Sequence, residues 1–291
     1  MLASIIVPVF MEEWATLQGC VASVLDQTLR NWELLLVSDD GRDYARRFPD
    51  PRIRGLSSGG VQRGPSAARN AGMDAARGDF IAFLDADDAF LPRKLEVLIP
   101  LAAQYGMALD NCRVVLDDGA RHDSTLGDLR DGFHGLDFFA QAPGPVAPVF
   151  RRDVLNGHRY VESLRFSEDS LFNYRAMLAN GGAYWHASPL HEYRIRGGSL
   201  SHQGDSAGVA RSAYAYILQL VATDDALSEK HKLQLRDIYR GKMALNEAFA
   251  SWVSVSGGRG TFQDFIAQRV DTLAAGQQAG GQPPAQSQRS A

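Results

Sequence analysis

Apolar runs alternate with amphipathic segments over the first 120 residues, and this alternation is the strongest constraint on the fold. Four runs have the composition of strands: residues 4–10, 32–38, 52–57 and 80–85. Three segments between and after them have helical spacing of apolar side chains or strong helix formers: residues 16–28, 66–78 and 92–106. Such alternation predicts an α/β fold with a mostly parallel central sheet flanked by helices.

The second half of the chain is less regular. Residues 113–119 and 145–152 are predicted as strands, and the prolines of the second one favour an edge position. A helix is predicted over 168–181, followed by one or two strands and a Gly/Ser loop within 182–202. Residues 206–256 have a helical pattern and form a C-terminal extension. The remaining segment, 257–291, is predicted to be disordered, since its last part, 275–291, is rich in Gln, Gly and Pro.

Composition excludes several classes of protein. The net charge is −4 with no strongly basic block, so a general nucleic-acid binder is not expected. The two cysteines form no CxxC pair, which argues against a zinc site or a disulfide framework. No segment approaches 18 uninterrupted apolar residues, and the short apolar run at the N-terminus lacks a basic region before it. We therefore expect a cytoplasmic protein.

The stretch FIAFLDADDAF places three carboxylates, Asp85, Asp87 and Asp88, at the end of a predicted buried strand. A solvated loop is the default interpretation of such a run. An EF-hand would need an oxygen ligand and a glycine where Ala89 and Phe90 stand. In open α/β sheets, ligands bind beyond the carboxyl ends of strands, and Mg²⁺ or Mn²⁺ prefers carboxylate and phosphate oxygens. The stretch is thus a candidate site for a divalent metal that carries a phosphorylated ligand.

Four blocks in a fixed order extend this hypothesis: SIIVPVF, SVLDQTLRNWELLLVSDDGRD, GPSAARNAGMDAARGDFIAFLDADDAFLPRKLE and RFSEDSLFNYRAM. With them the sequence resembles the family-2 glycosyltransferases of GT-A fold, which build bacterial surface polysaccharides. The resemblance covers about residues 3–200. It implies a glycosyltransferase domain over 1–205, with a nucleotide-sugar half (1–118) and an acceptor half (119–205).

By this resemblance, the end of the first strand lines a nucleobase pocket, formed here by Pro8, Val9 and Phe10. The family's usual Asn is replaced by Met11. In the DDG motif, Asp40 would accept a hydrogen bond from the uracil N–H, with Asp39 as the alternative or as a cap of the following turn. In ARNAG, Arg69 would help to hold the nucleotide or its diphosphate, and Asn70 and Gly72 would allow close helix packing.

The same resemblance assigns the metal and the chemistry. Asp87 would bind Mn²⁺ or Mg²⁺ directly, and Asp85 would contact the ribose or the metal's water shell, while Asp88 would be structural and cap the next helix. Asp169 would be the general base that deprotonates the acceptor hydroxyl in an inverting displacement. Acidic residues are also common at helix starts, so a purely structural role for Asp169 and its neighbour Glu168 stays open.

A mobile loop in related enzymes closes over the diphosphate, and four side chains could serve this purpose here: His191, Arg194, Arg196 and His202. The sequence lacks both the Gln-x-x-Arg-Trp motif and the membrane helices of processive synthases. We therefore expect transfer of a single sugar from a nucleotide sugar, expected to be a UDP-sugar, to a glycan or lipid-linked acceptor. Peripheral contact with the inner face of the membrane is compatible with this function. The alternatives are a non-catalytic nucleotide-sugar-binding protein and a sugar-nucleotidyltransferase.

Overall fold

The structure, a computed structural model, describes residues 1–116, 119–123, 130–140, 146–195, 206–255 and residue 265. One sheet runs through this part of the chain, with the strand order β3-β2-β1-β4-β9-β6-β10-β5. β7 pairs with β6 beside this path, and β8 pairs with β10. Helices cover the sheet, so the predicted α/β architecture is confirmed.

The N-terminal half of the sheet is wholly parallel. Its strands are β1 (Ala3–Val9), β2 (Trp32–Ser38), β3 (Ile53–Ser57) and β4 (Phe80–Phe83). β1 lies between β2 and β4, and β3 forms the outer edge beyond β2. β2 is buried at every position, including Glu33 and Ser38, as its mostly apolar composition predicts for a strand covered on both faces. This arrangement brings the carboxyl ends of β1, β2 and β4 to one side of the sheet.

The second half of the sheet is mixed. Its strands are β5 (Ala89–Phe90), β6 (Met107–Val115), β7 (Arg121–Asp123), β8 (Gly132–His134), β9 (Val149–Arg151) and β10 (Ala183–Arg194). β6 and β10 are parallel, whereas β9 is antiparallel to both β4 and β6. The predicted edge position of 145–152 is therefore wrong. The strand begins only after Pro148, so its ladder positions hold no proline and can pair on both sides.

Seven α-helices lie in the described ranges: α1 (Trp14–Leu25), α2 (Pro65–Ala75), α3 (Lys94–Tyr105), α4 (Leu136–Ala140), α5 (Glu168–Asn180), α6 (Ser206–Ala222) and α7 (Glu229–Val255). α2 begins at Pro65, with Gly64 as its N-cap residue, rather than at the expected Ser66. Proline is well suited to a first helical position because the N–H that it lacks would have no intrahelical partner there.

Two apolar cores lie on opposite faces of the sheet. One packs α1 and α3 against it and includes Leu17, Val21 and Leu98. The other packs α2 and α5 and extends into α6 and α7 through Ile217 and Tyr239. The C-terminal helices therefore share a core with the sheet. The predicted disordered tail, 257–291, lies outside the described residues apart from Phe265.

Within the described ranges, none of the helices combines the length and the apolar composition that a membrane crossing requires.

Candidate functional site

The carboxylate turn after β4 lies at the carboxyl end of the parallel sheet, as predicted. The N–H of Asp88 donates to the carbonyl of Asp85 at 3.0 Å, which closes the turn over residues 85–88. The Asp85 side chain is 48% exposed, Asp87 is half-buried and Asp88 is buried. Three carboxylates at one turn thus have three different degrees of access to solvent.

Asp88 has a structural position, although not the one expected. It does not cap α3, since the N-cap of that helix is Arg93. Its Oδ1 instead accepts a hydrogen bond from the backbone N–H of Arg194 at 2.9 Å, which fastens the turn to β10. Burial and the charges of Asp85 and Asp87 raise the pKa of Asp88 well above its usual value. The carboxylates of this turn thus lie close enough to repel one another, and a cation bound here would relieve that repulsion.

The two aspartates after β2 are both hydrogen-bonded within the fold. Asp39 is buried, and its carboxylate accepts from the Ser58 hydroxyl and from the N–H groups of Arg63 and Gly64 at 2.6–3.0 Å. Asp39 thereby holds the 58–64 loop and does not cap the turn that follows the DDG motif. This loop leads directly into α2, so Asp39 connects the end of β2 to the start of that helix.

Asp40 accepts hydrogen bonds from the Tyr44 hydroxyl (2.5 Å), the Met11 N–H (2.9 Å), the Ser38 hydroxyl (3.0 Å) and the Arg42 N–H (3.1 Å). Burial alone would raise its pKa, but these hydrogen bonds outweigh burial and lower the pKa of Asp40. Asp40 is therefore a fixed anion. For the predicted contact with the uracil N–H, the Asp40 carboxylate would need a lone pair that none of these four donors occupies.

The end of β1 provides an apolar rim beside Asp40. Pro8 is half-buried, Val9 is fully buried, and Phe10 lies beyond the strand with 44% exposure. Met11 has φ +48°, and its N–H contacts the Asp40 carboxylate. The Met11 backbone thus binds Asp40, while its side chain supplies no polar group where the family has Asn. Phe10, Met11 and the exposed Val61 are available to contact a planar ring.

Arg69 connects the two halves of the site. Its Nη2 donates to Asp85 Oδ1 at 2.7 Å and its Nη1 donates to Glu168 Oε1 at 3.0 Å. The guanidinium is 7% exposed and lies 5.3 Å from the ring centroid of Tyr160, which stacks on Phe172 of α5. The sequence predicted a nucleotide contact for Arg69. The structure adds a bridge from the carboxylate turn to the first residue of α5.

Asn70 also differs from its expected role. Its side chain exchanges hydrogen bonds with the backbone of Tyr160 at 2.9 and 3.0 Å and donates to Glu162 at 3.2 Å. It therefore holds the acceptor half and does more than allow close packing. Gly72 has the predicted packing role, because an added Cβ would lie 2.4 Å from Cγ2 of Ile6.

The acidic pair at the start of α5 is divided by exposure. Glu168 is 13% exposed and bound to Arg69, whereas Asp169 is exposed and accepts a hydrogen bond from the Ser170 N–H at 2.7 Å. Burial and the charge of Asp169 raise the pKa of Glu168, while Arg69 lowers it. Asp169 is the more accessible of the two carboxylates, and its assignment as the base stays a prediction.

Tyr193 of β10 is a site residue that sequence reasoning did not single out. Burial, followed by the charges of Asp88, Asp85, Asp87 and Asp169, raises the pKa of this tyrosine. The carboxylate turn and the predicted base are therefore both close enough to Tyr193 for their charges to act on its phenol. No feature of the local sequence distinguishes Tyr193 from the other tyrosines, because the carboxylates come from two distant segments.

Of the four candidates for a loop that closes over the diphosphate, two, His191 and Arg194, lie among the described residues. His191 is buried in β10, where its Nδ1 lies 2.8 Å from Asp110 Oδ2. Asp110 also accepts from the buried Nζ of Lys94, so His191 belongs to a buried charge network and not to a mobile loop. Arg194 is half-buried, with its Nη2 3.4 Å from Glu192. Arg196 and His202 lie outside the described residues.

The carboxylate turn fits a divalent metal shared with a phosphorylated ligand. The described residues contain no group of three or more His, Cys, Asp or Glu side chains that could hold an ion by themselves. Mg²⁺ and Mn²⁺ at nucleotide sites typically take one or two protein carboxylates and complete their shell with phosphate oxygens and water. Asp87 and Asp85 could supply those two carboxylates.

Comparison with known proteins identifies the family. The model of "Glycosyl transferase family 2" matches residues 4–145, a range that includes the carboxylate turn and the DDG motif. The chain belongs to glycosyl transferase family 2. The match ends before α5, so the predicted base lies in the part of this family-2 chain that the model does not reach.

Two curated relatives are similar to this family-2 chain. The succinoglycan biosynthesis protein ExoO of Rhizobium meliloti is 32% identical over 237 residues, covering 75% of this chain and 66% of that protein. The UDP-Glc:alpha-D-GlcNAc-diphosphoundecaprenol beta-1,3-glucosyltransferase WfgD of Escherichia coli is 42% identical over 104 residues, covering 34% of this chain and 40% of that one. The chain thus spans between two fifths and two thirds of the length of these relatives.

A solved structure confirms the fold. Residues 1–349 of S. aureus TarS in complex with UDP-GlcNAc superpose with a TM-score of 0.66 at 20% identity, covering 84% of this chain and 72% of that one. The family-2 chain therefore has the GT-A fold that was predicted from its motifs.

Proposed function

We propose that the protein transfers a single sugar from a UDP-sugar to a glycan or lipid-linked acceptor, in the biosynthesis of a surface polysaccharide. One observation carries this proposal. Arg69 contacts both Asp85 at the carboxylate turn and Glu168 at the start of α5, so the predicted donor site and the predicted base are adjacent. The similarity to WfgD, whose name specifies a UDP-sugar donor and a lipid diphosphate acceptor, supports these substrate classes.

The proposed reaction is an inverting displacement. The acceptor hydroxyl attacks the anomeric carbon, the bond from that carbon to the diphosphate oxygen breaks, and the nucleoside diphosphate leaves with the bonding electrons. Asp169, which is exposed at the start of α5, takes the proton of the attacking hydroxyl. Glu168 is held by Arg69 and positions the start of the helix that carries the base.

Mn²⁺ or Mg²⁺ would be held by Asp87, with Asp85 as a second contact, and would neutralise the charge that develops on the leaving diphosphate. The end of β1 (Pro8, Val9 and Phe10) would line the nucleobase pocket, with Asp40 behind it. Arg69 would neutralise the carboxylate turn and, through it, support the position of the nucleotide.

The test is donor hydrolysis and transfer with a panel of nucleotide sugars. With Mn²⁺ or Mg²⁺, one nucleotide sugar should be slowly hydrolysed to the nucleoside diphosphate, and EDTA should stop this release. Asp87→Ala should abolish the release, whereas Asp169→Asn should retain donor binding and lose transfer. Asp74→Asn is the matched control, because Asp74 is exposed on α2 and pairs with Arg159, away from the turn.

Two results would contradict the proposal. If no nucleotide sugar binds, the family assignment does not extend to this activity. If a nucleotide sugar binds but is neither hydrolysed nor transferred, the protein is a binding module. The anomeric configuration of the product, determined by NMR, tests the inverting stereochemistry separately.

A further inference from the structure

A cleft lies beside the start of α5, formed by residues 163–166 on one side and the first turns of α6 on the other. Its volume is about 690 Å³. Its lining includes Arg165, Phe166, Val209 and Arg211. Both walls lie beyond the segment that the family model matches.

One part of the cleft is apolar. Val209 is 51% exposed, which is unusual for a large aliphatic side chain on a helix that is otherwise packed against a core. Phe166 is half-buried, and its ring packs edge-on against Tyr214 at 5.9 Å. These side chains offer an apolar surface that a hydrocarbon chain could cover.

The other part of the cleft carries a cation without an acidic partner. Among the described residues, no carboxylate lies within 4 Å of the Arg165 guanidinium, which donates to the backbone carbonyl of Arg63 at 2.9 Å. The neighbouring Glu162 is paired instead with Arg63 at 2.5 Å. By contrast, Arg211 on the opposite wall is bound to Glu247 at 2.7 and 2.9 Å.

Glycine and a helix end fix the position of this cation. A Cβ at Gly64, the N-cap of α2, would lie 1.7 Å from Nη1 of Arg165, so only glycine allows the guanidinium to approach the helix start this closely. The N-terminus of a helix carries partial positive charge. The N–H of Gly64 already donates to Asp39 at 2.8 Å, so the Arg165 guanidinium is the positive group left for an anion in the cleft.

We propose that this cleft binds the diphosphate of a prenyl-diphosphate-linked acceptor, with Arg165 as the diphosphate contact and Val209 and Phe166 as the surface for the first prenyl carbons. This inference rests on the proposed function and assigns the acceptor side of the same site. Arg165 lies four residues before Asp169, so their Cα atoms are at most about 14 Å apart. The diphosphate therefore lies close to the attacking hydroxyl, which limits the intervening glycan to a short one.

The experiment measures binding to the full chain by titration calorimetry in EDTA, with three probes: a short-chain prenyl diphosphate, the matching prenyl alcohol and inorganic pyrophosphate. We expect the prenyl diphosphate to bind more tightly than either partial probe. Arg165→Gln should weaken its binding about tenfold or more, the scale of a lost charge-assisted hydrogen bond. Arg236→Gln is the matched control, because Arg236 is a partly exposed arginine on α7 whose neighbour is Asp237, and it should leave binding unchanged.

A second variant separates a lipid ligand from free phosphate. Val209→Asp changes a half-exposed position that contributes little to the core, so folding should be retained. It should weaken binding of the prenyl diphosphate and spare inorganic pyrophosphate. Equal binding by Arg165→Gln and wild type, equal binding of the prenyl alcohol, or displacement of the prenyl diphosphate by UDP would each overturn the inference.

The two proposals can fail separately. Loss of nucleotide-sugar binding in wild type would contradict the proposed function, whatever the prenyl probes do. Normal donor hydrolysis together with no binding of the prenyl diphosphate would contradict only the assignment of this cleft.

Discussion

Replacing Arg69 by Gln should destabilise the fold through Glu168 more than through Asp85. Glu168 is 13% exposed and Arg69 is 7% exposed, and breaking such a buried pair by removing one partner costs about 3–5 kcal/mol. Asp85 is 48% exposed, so its contact with Arg69 contributes at most about 1 kcal/mol. Because Glu168 can escape part of the penalty by taking up a proton, we expect a total near the lower limit, about 3 kcal/mol.

The assay is a double-mutant cycle followed by urea unfolding. Arg69→Gln should lower the unfolding midpoint by about 1.5 M, for a slope of about 2 kcal/mol per molar urea. Glu168→Gln removes the carboxylate that Arg69 neutralises, so the double variant should be more stable than the sum of the two single effects predicts. We expect a coupling of at least about 1 kcal/mol.

Arg159 and Asp74 provide the control cycle. This pair also joins α2 to the segment near residue 160, but its side chains are 52% and 62% exposed, so its coupling should be close to zero. A coupling between Arg69 and Glu168 within about 0.5 kcal/mol of zero would refute the bridge as a stabilising contact.

The pH dependence gives an independent check of the same reasoning. The folded state raises the pKa of Glu168, so its contribution to stability is lost as pH rises through that pKa. Without Arg69 the pKa rises further, and the deficit of Arg69→Gln should shrink when the pH is lowered from 7.5 towards 5. The double variant, which lacks the carboxylate, should show no such recovery relative to Glu168→Gln. A deficit that does not depend on pH would exclude Glu168 as its source.

Three further predictions concern packing, a buried histidine and the carboxylate turn. Gly72→Ala should destabilise by about 1–3 kcal/mol in urea unfolding because its Cβ would meet Ile6, whereas Gly241→Ala, where a Cβ meets nothing within 4 Å, should stabilise by about 0.5–1 kcal/mol. Burial lowers the pKa of His191, although Asp110 acts in the opposite direction. The free energy of unfolding should therefore fall as the pH drops below about 6.5. His191→Gln should reduce this dependence on pH, which is measured as urea unfolding midpoints between pH 5 and 7.5. Asp87→Asn should weaken Mn²⁺-dependent donor binding at least about tenfold in calorimetry, and unchanged binding would exclude Asp87 as a metal contact.

The local elements could be predicted from the sequence wherever burial alone decides them. Residues 32–38 were predicted as a buried strand, and β2 has these same bounds. A short, mostly apolar run that is bounded by turn-forming residues is most often a buried strand. The position of β9 inside the sheet could not be predicted in this way. It depends on where the chain returns after the 119–140 region, and the prolines before the strand indicate only that it starts late.

The places of the candidate site residues in the fold were predictable, but the contacts between them were not. The order of the motifs located Asp85, Asp87 and Asp169 at strand and helix ends that the structure brings together. The partners of Arg69 could not be inferred, since Glu168 lies 99 residues away and no local pattern connects the two. Tyr193 was missed for the same reason, because its significance comes from four carboxylates on other segments.

The acidic pair at the start of α5 shows why this long-range contact matters for chemistry. Two adjacent carboxylates at a helix start repel one another, and either could be the base on sequence grounds. The structure distinguishes them by giving Glu168 a buried cationic partner and leaving Asp169 exposed. Arg69 thus holds Glu168 within the fold, whereas Asp169 is left open to solvent, where an acceptor hydroxyl could reach it.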